Sequence, residues 1–252
     1  MMKRILIFFA FVFLSQPLLA DNNKVTIDSA NQFYTKGKYE KAIKYYEQVL
    51  ENGYESAGLY YNLGNAYYKS HKIASAILNY ERARLRDPGN EDIKYNLQLA
   101  RKQITDDIEA IPQFFISKWI RQFIQLFGSD AWAITSMITF VGFLILLALS
   151  LFSKRFNLKR TFFWLSLVLL VLSFSTFYFS HKQKQNIVSN EKAIVFSSKV
   201  TVKSTPAKSG TDLFLIHEGL KVKIIREVGD WYEIKLADGN VGWIQKEDVE
   251  EI

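Results

Sequence analysis

The sequence predicts a multidomain membrane protein in which an all-α helical solenoid, a two-helix transmembrane hairpin and a C-terminal all-β barrel follow one another. Three observations predict it. Residues 131–152 and 161–180 are long apolar runs without Asp, Glu, Lys, Arg or His. Between residues 23 and 104 a pattern of small and aromatic residues recurs at a fixed offset, and from residue 191 onward the periodicity shortens to that of strands.

At the N-terminus Lys3 and Arg4 precede the apolar run Ile5 to Leu14, followed by Gln16, Pro17 and Leu18-Leu19-Ala20. Residues 1–20 thus have the layout of a secretory signal peptide, with cleavage expected after Ala20. An uncleaved segment would be a third span with its basic end inside, and would still export Asp21 onward. The chain has 252 residues, a formal charge of +7 and no cysteine. Without cysteine there is no disulfide framework, thiol nucleophile or cysteine-ligated zinc. The positive charge is dispersed and forms no dense run suited to a phosphate backbone, which argues against a nucleic acid partner.

Residues 23–108 read as helical repeats. Ala30 pairs with Gly64, Phe33 with Tyr67, Ala42 with Ala76, Tyr46 with Tyr80 and Val49 with Ala83. The second copy is nearly complete, with Tyr60, Leu63, Gly64, Tyr67, Ala76, Tyr80, Ala83 and Pro88; the first has Thr26 and Ser29 in place of Tyr60 and Leu63, which suggests a polar or frayed edge. After Asp87-Pro88-Gly89-Asn90, Tyr95-Asn96-Leu97 echoes Tyr61-Asn62-Leu63 and begins a third copy without a second helix. At a period of about 34 residues, these residues resemble the tetratricopeptide repeat (TPR), giving two repeats and a capping helix. So short an array is marginal alone, and self-association or a partner is expected to complete the stack.

The resemblance assigns ligand binding to the concave face of the first helix of each repeat. Residues mapping there are Asn31 and Tyr34, then Tyr61, Asn62, Asn65, Tyr68 and Lys69, then Tyr95 and Asn96. Asparagine offers donor and acceptor to a peptide backbone, and tyrosine offers apolar contact with a polar tip. The competing reading is solvated surface or inter-repeat packing. Asn31 and Asn62 match asparagines of repeats that clamp a terminal carboxylate, but Ile27, Asp92 and Asn96 stand where that motif has other residues, which argues against such a ligand.

Residues 113–127 place Phe114, Phe115, Trp119, Ile120, Phe123, Ile124 and Phe127 opposite Lys118, Arg121, Gln122 and Gln125. This is the pattern of an amphipathic helix in the headgroup region of the lipid bilayer, with packing on the solenoid or on a partner as the alternative. At ~1.5 Å per residue, about 20 residues cross a hydrocarbon core of roughly 30 Å, so 131–152 and 161–180 read as membrane helices. Lys154, Arg155, Lys159 and Arg160 crowd the connector 153–160, which the positive-inside bias places in the cytoplasm. Everything before 131 and after 180 is then periplasmic, in the bacterial inner membrane. The uncharged spans argue against transport, and Ser136, Gly142, Ser150, Ser166, Ser173 and Ser175 are candidates for contacts with partner helices.

Residues 191–252 carry six short strand patterns, 193–195, 200–203, 213–216, 222–225, 231–235 and 241–244, separated by Gly219, Gly229-Asp230 and Asp238-Gly239. Val200-x-Val202-Lys203-Ser204-x-Pro206, Gly229-Asp230-Trp231-Tyr232 and Gly242-Trp243-Ile244 make the region resemble the bacterial SH3-like domain. That family's members bind peptides or cell-wall fragments, so peptidoglycan is a candidate ligand and Trp231, Tyr232 and Trp243 a candidate surface; burial of Trp231 and Trp243 in the barrel is the competing reading. The linker 181–190 reaches at most roughly 35 Å when extended.

His71, His181 and His217 have no metal or triad spacing, and there is no phosphate-cradling glycine loop, so no catalytic residue, cofactor or metal is expected. Acidic residues are read as solvated surface. The order of modules resembles the BatE-like aerotolerance operon proteins of Bacteroidetes. That resemblance implies membrane-anchored von Willebrand A domain partners and a role in aerotolerance or envelope stress. The expected function is a non-enzymatic scaffold, with peptidoglycan sensing as the alternative.

Overall fold

Helix hairpins form wherever an apolar stripe is bounded by a cap and a left-handed turn, and the chain supplies both twice. The computed structural model describes residues 19–109, 111–112, 114–189 and 191–252, with side chains from residue 23 onward. Apart from Leu19 and Ala20, the leader at 1–20 lies outside the described residues. Helices α1 (Leu19–Thr35) and α2 (Tyr39–Glu51) form one hairpin, α3 (Ala57–Lys69) and α4 (Ile73–Arg86) a second, and α5 (Glu91–Arg101) starts a third. Ser56 caps α3 by accepting from the Leu59 amide, and Asn90 caps α5 by accepting from the amides of Asp92 and Ile93. The turn inside each hairpin is left-handed, at Gly37 (φ 70°) and at His71 (φ 60°).

Tight packing of each hairpin follows from its small residues. A Cβ on Gly64 would lie 2.7 Å from the Tyr80 ring, so glycine lets α3 and α4 close on that tyrosine. Ala30, Ala42, Ala76 and Ala83 are fully buried, as Tyr46 and Tyr80 nearly are. Helix α5 adds Ile93, Leu97 and Ala100 to this core. At the first edge α1 is continuous through Thr26 and Ser29, and Val25 remains exposed.

Helices α7 (Ser129–Phe152) and α8 (Phe156–Val188) form the membrane hairpin; only 11% and 17% of their most apolar stretches are buried, so neither is a core helix of a soluble domain. Their shared seam is polar. The Ser136 hydroxyl donates to the Ser173 carbonyl at 3.0 Å and the Ser173 hydroxyl to the Ser136 carbonyl at 3.1 Å. Ser150 donates to the Lys159 carbonyl and Gly142 faces Leu169. Ser136, Ser150, Ser166 and Ser173 are buried within this chain, so they hold the hairpin together and do not offer a surface to partner helices. Exposed Ser175 bonds back to the Val171 carbonyl.

The open end of the hairpin is knotted to helix α6 (Phe115–Ile124). The Ile124 carbonyl accepts from Trp132 Nε1 at 2.9 Å and from Gln183 Nε2 at 2.6 Å, and Phe123, Phe127 and Phe179 pack around the Trp132 ring. Gln183 also donates to the Phe127 carbonyl. These bonds explain why α8 does not end near Ser180 but continues as a helix to Val188, about 12 Å further at 1.5 Å per residue. The segment expected as a free linker is therefore a rigid stalk.

Seven antiparallel strands follow: β1 (Lys192–Val195), β2 (Lys199–Lys203), β3 (Asp212–His217), β4 (Lys221–Val228), β5 (Trp231–Lys235), β6 (Val241–Gln245) and β7 (Val249–Glu251). Their order in the sheet is β3-β2-β6-β5-β4-β1-β7. All seven contribute to one cluster that includes Val195, Val202, Phe214, Val222, Ile234, Ile244 and Val249, so the sheet is rolled around it. Strand β7 is the addition to the six strands expected. Its Val-Glu-Glu sequence lacks a strand pattern, and pairing with β1 (Ala193 opposite Glu251, Val195 opposite Val249) creates it.

The barrel does not hang free of the solenoid. Ile194 and Ile252, with Phe196, pack into the cluster of Ala74, Ile77, Leu97 and Ala100, where a third repeat would have placed its missing second helix. Arg82 reinforces the contact through Glu250 and the Glu251 carbonyl. The chain's own barrel thus closes the stack, in place of the second copy or partner expected there. Residues 104–109 and 111 then meet the barrel: Asp106 accepts from the His217 amide and contacts its Nδ1, Ile108 joins the barrel core, and the Ile111 amide donates to the Ala237 carbonyl. At the other end, a Cβ on Gly89 would meet the Leu126 carbonyl and one on Gly128 the Arg86 carbonyl, so the 87–90 turn rests on the root of the hairpin. Solenoid and barrel therefore share one end of the hairpin.

Candidate functional site

The first helices of the repeats, α1, α3 and α5, lie side by side and enclose a groove of about 280 Å³ lined by Tyr34, Tyr61, Asn65, Tyr68, Lys69, Tyr80, Asn96 and Leu99. Six of the residues expected on the concave face meet there. Tyr80 and Leu99 were missed, because the first belongs to the packing pattern of a second helix and the second lies among the core residues Leu97 and Ala100 of the incomplete third copy.

Asparagines build the walls by a repeated device. Asn31 Oδ1 accepts from Tyr46 Oη at 2.6 Å and from Asn62 Nδ2 at 3.4 Å; in the next repeat Asn65 Oδ1 accepts from Tyr80 Oη at 2.7 Å and from Asn96 Nδ2 at 2.8 Å. Asn96 Nδ2 also reaches Tyr61 Oη at 3.0 Å. Each network ties one hairpin to the first helix of the next, and burial pushes the Tyr46 hydroxyl up to about 12 and that of Tyr80 higher still. The asparagine oxygens are thus engaged in inter-repeat packing. Asn31 and Asn62 stand beside the groove without lining it, and Tyr95 is 61% exposed outside it. What faces the groove is tyrosine rings, amide N–H groups and the exposed Lys69 ammonium, with Gln103 Nε2 holding the Tyr68 hydroxyl at 2.5 Å.

The barrel aromatics are placed differently from a ligand platform. Tyr232 is 9% exposed and Trp243 is 5% exposed. Lys246 lies over the Tyr232 ring and Arg226 over the Trp243 ring, while the Tyr232 hydroxyl donates to Glu251 at 2.5 Å. Only Trp231 of the three is half-buried.

A second polar centre lies where solenoid meets barrel. Glu81 on α4 is fully buried, contrary to the reading of acidic residues as solvated. Arg84 Nη2 reaches its carboxylate at 2.8 Å and Lys221 Nζ at 2.7 Å, and Arg101 Nη2 bonds its other oxygen. Burial alone would raise the Glu81 pKa, but Lys221, Arg84 and Arg101 outweigh it and hold the carboxyl at about 2. Burial draws Lys221 down to about 8 against the pull of Glu81. Among the described residues, no group of three or more His, Cys, Asp and Glu side chains is arranged to hold a metal.

Residues 30–71 match the TPR repeat, residues 57–90 the tetratricopeptide repeat, and residues 198–250 the bacterial SH3 domain. The chain carries TPR repeats and a bacterial SH3 domain. No curated protein matches it. Modules of these two kinds are typically non-catalytic and act in protein–protein interaction or peptidoglycan binding.

Proposed function

We propose that this protein is a non-enzymatic, membrane-anchored adaptor whose TPR groove holds an extended segment of another envelope protein. The observation that carries this reading is the tyrosine-lined groove with Lys69 at its edge, formed by helices that the asparagine networks hold in fixed register. Rigid aromatic walls with amide donors suit a peptide, because they give apolar contact and backbone hydrogen bonds at little entropic cost. The stalk of α8 and the docked barrel support the same reading, since they hold the groove at a set height above the hairpin. Cations in the connector between the spans favour a periplasmic location for both modules. The module order, like that of the BatE-like proteins, favours von Willebrand A domain proteins as partners and a role in aerotolerance or envelope stress.

Crosslinking in native membranes, followed by purification in mild detergent, tests this directly. The wild-type chain is expected to recover a membrane partner in stoichiometric amount, and Lys69→Glu combined with Tyr68→Ala to lose it while the melting temperature is retained. Equal recovery by the variant would sink the groove as the binding site. Peptidoglycan binding is the second reading, and the bacterial SH3 match favours it. Sedimentation of the full chain with purified cell wall separates the two, with Trp231→Ala as the informative variant.

A further inference from the structure

The seam between solenoid and barrel holds more positive charge than its own carboxylate balances. Arg84, Arg101 and Lys221 all converge on Glu81, each guanidinium using a single Nη2 and leaving its remaining N–H groups uncommitted among the described residues. Lys192 on β1 stands in the same field, close enough to feel both Glu81 and Arg84, and has no carboxylate within ion-pair distance among the described residues. Strand pairing sets Lys192 opposite Lys223 and Ile194 opposite Lys221, and since Ile194 is packed into the solenoid core, this face of the strands is turned toward α4. Lys223 is neutralised by Glu191 at 3.3 Å. Four cations are left with one buried carboxylate.

Burial of the Lys221 and Lys192 ammonium groups beside other cations is costly, and a planar guanidinium with free N–H groups is matched to an oxyanion. We propose that the seam between α4 and α5 on one side and β1 and β4 on the other is an anion site, taking a compact dianion such as inorganic phosphate between Arg84, Arg101 and Lys192. Both side chains of the solenoid are reachable, Arg84 being 36% and Arg101 39% exposed. The site is independent of the TPR groove, and it ties occupancy to the contact that fixes the barrel on the solenoid. Burial, Arg84 and Arg101 all act to lower Lys221 to about 8, so its proton is the one an added dianion stabilises.

Calorimetric titration of the full-length protein in neutral detergent with inorganic phosphate is the test, at pH 7 and constant ionic strength. One saturable site is expected, and from about pH 8 to 9, where phosphate is already the dianion, its affinity falls as Lys221 loses its proton. Lys192→Gln, which breaks no ion pair, is expected to weaken phosphate binding about tenfold, whereas Lys44→Gln, at an exposed position on α2 away from the seam, leaves it unchanged. Acetate at the same ionic strength is expected to give no saturable heat. Absence of saturable phosphate binding, unchanged affinity in Lys192→Gln, or acetate binding as tightly as phosphate would each overturn the proposal.

Discussion

Glu47 in the first TPR repeat and Glu81 in the second occupy the same place on the second helix of their hairpins, and each faces the first helix of the next unit. There the likeness ends. Glu47 is half-buried and accepts from the Tyr67 hydroxyl, whereas Glu81 is fully buried and meets Arg101, which stands at the position equivalent to Tyr67. In the first junction a neutral donor satisfies the carboxylate and another helical hairpin follows. In the second, cations from α4, α5 and β4 surround it, and a β-barrel follows. The difference shows how a repeat is ended: one position changes from tyrosine to arginine, and a carboxylate common to both repeats becomes the ionic centre of a junction between unlike folds.

Removing each carboxylate should expose that contrast most strongly. Glu81→Ala leaves Arg84, Arg101 and Lys221 without their shared counter-ion, at an expected cost of about 3–5 kcal/mol. Glu47→Ala loses one hydrogen bond from Tyr67 and is expected to cost about 1 kcal/mol. Denaturant midpoints of the full chain in detergent compare them. The same difference should appear with pH. With Glu81 at about 2 when folded and 4.5 as its ordinary value, its stabilisation is complete above pH 4.5 and is lost as pH falls toward 2. The wild type is expected to lose about 3 kcal/mol across that window, and Glu81→Gln to show no such slope. Equal acid sensitivity in both would place the titrating group elsewhere.

A smaller effect separates the repeats at their helix crossings. Ala30 packs in the first repeat where Gly64 packs in the second, and the Tyr80 ring lies where a Gly64 Cβ would go, 2.7 Å away. Tyr80 cannot easily retreat, since it is 1% exposed and its hydroxyl is fixed on Asn65. Gly64→Ala is therefore expected to cost about 1–3 kcal/mol through overpacking. Ala30→Gly should cost only about 0.5–1 kcal/mol, from chain entropy. Thermal melts of the two variants check the order.

The sequence made the repeats legible because small and aromatic residues recur at a fixed offset, and the hairpin because length and apolarity suffice to define a span. It did not reveal the junction. Glu81 is buried among Arg84, Arg101 and Lys221, the last two distant in sequence, and a one-dimensional pattern cannot distinguish that carboxylate from Glu47. Strand β7 and the last turns of α8 were hidden for a related reason. Val249-Glu250-Glu251 and His181-Lys182-Gln183-Lys184 are locally polar, and tertiary partners, β1 for the first and the Ile124 and Phe127 carbonyls for the second, give them their regular structure. In the groove, six of the nine concave-face candidates line one cavity, but asparagine suits a ligand and a neighbouring helix equally well. Only the Tyr46 and Tyr80 bonds show which of its atoms are already committed.

The smallest difference between the repeats lies in their internal turns. Gly37 and His71 end equivalent helices with the same pair of bonds: each amide reaches the carbonyl three residues back, from Tyr34 or Tyr68, and the following amide reaches that of Phe33 or Tyr67. Both positions are left-handed, at φ 70° and 60°. An L-residue pays about 1–2 kcal/mol for that conformation, while glycine gives back roughly 0.5–1 kcal/mol in unfolded-chain entropy. His71→Gly is thus expected to stabilise the chain by about 0.5–1 kcal/mol, and Gly37→His to destabilise it by a similar amount. Since nothing lies within 4 Å of a Cβ at Gly37, the second substitution tests backbone strain without steric conflict. Opposite shifts in the denaturant midpoint would show that the two turns differ only in residue type; a loss of stability in His71→Gly would mean that the imidazole holds the second repeat through a contact the first repeat lacks.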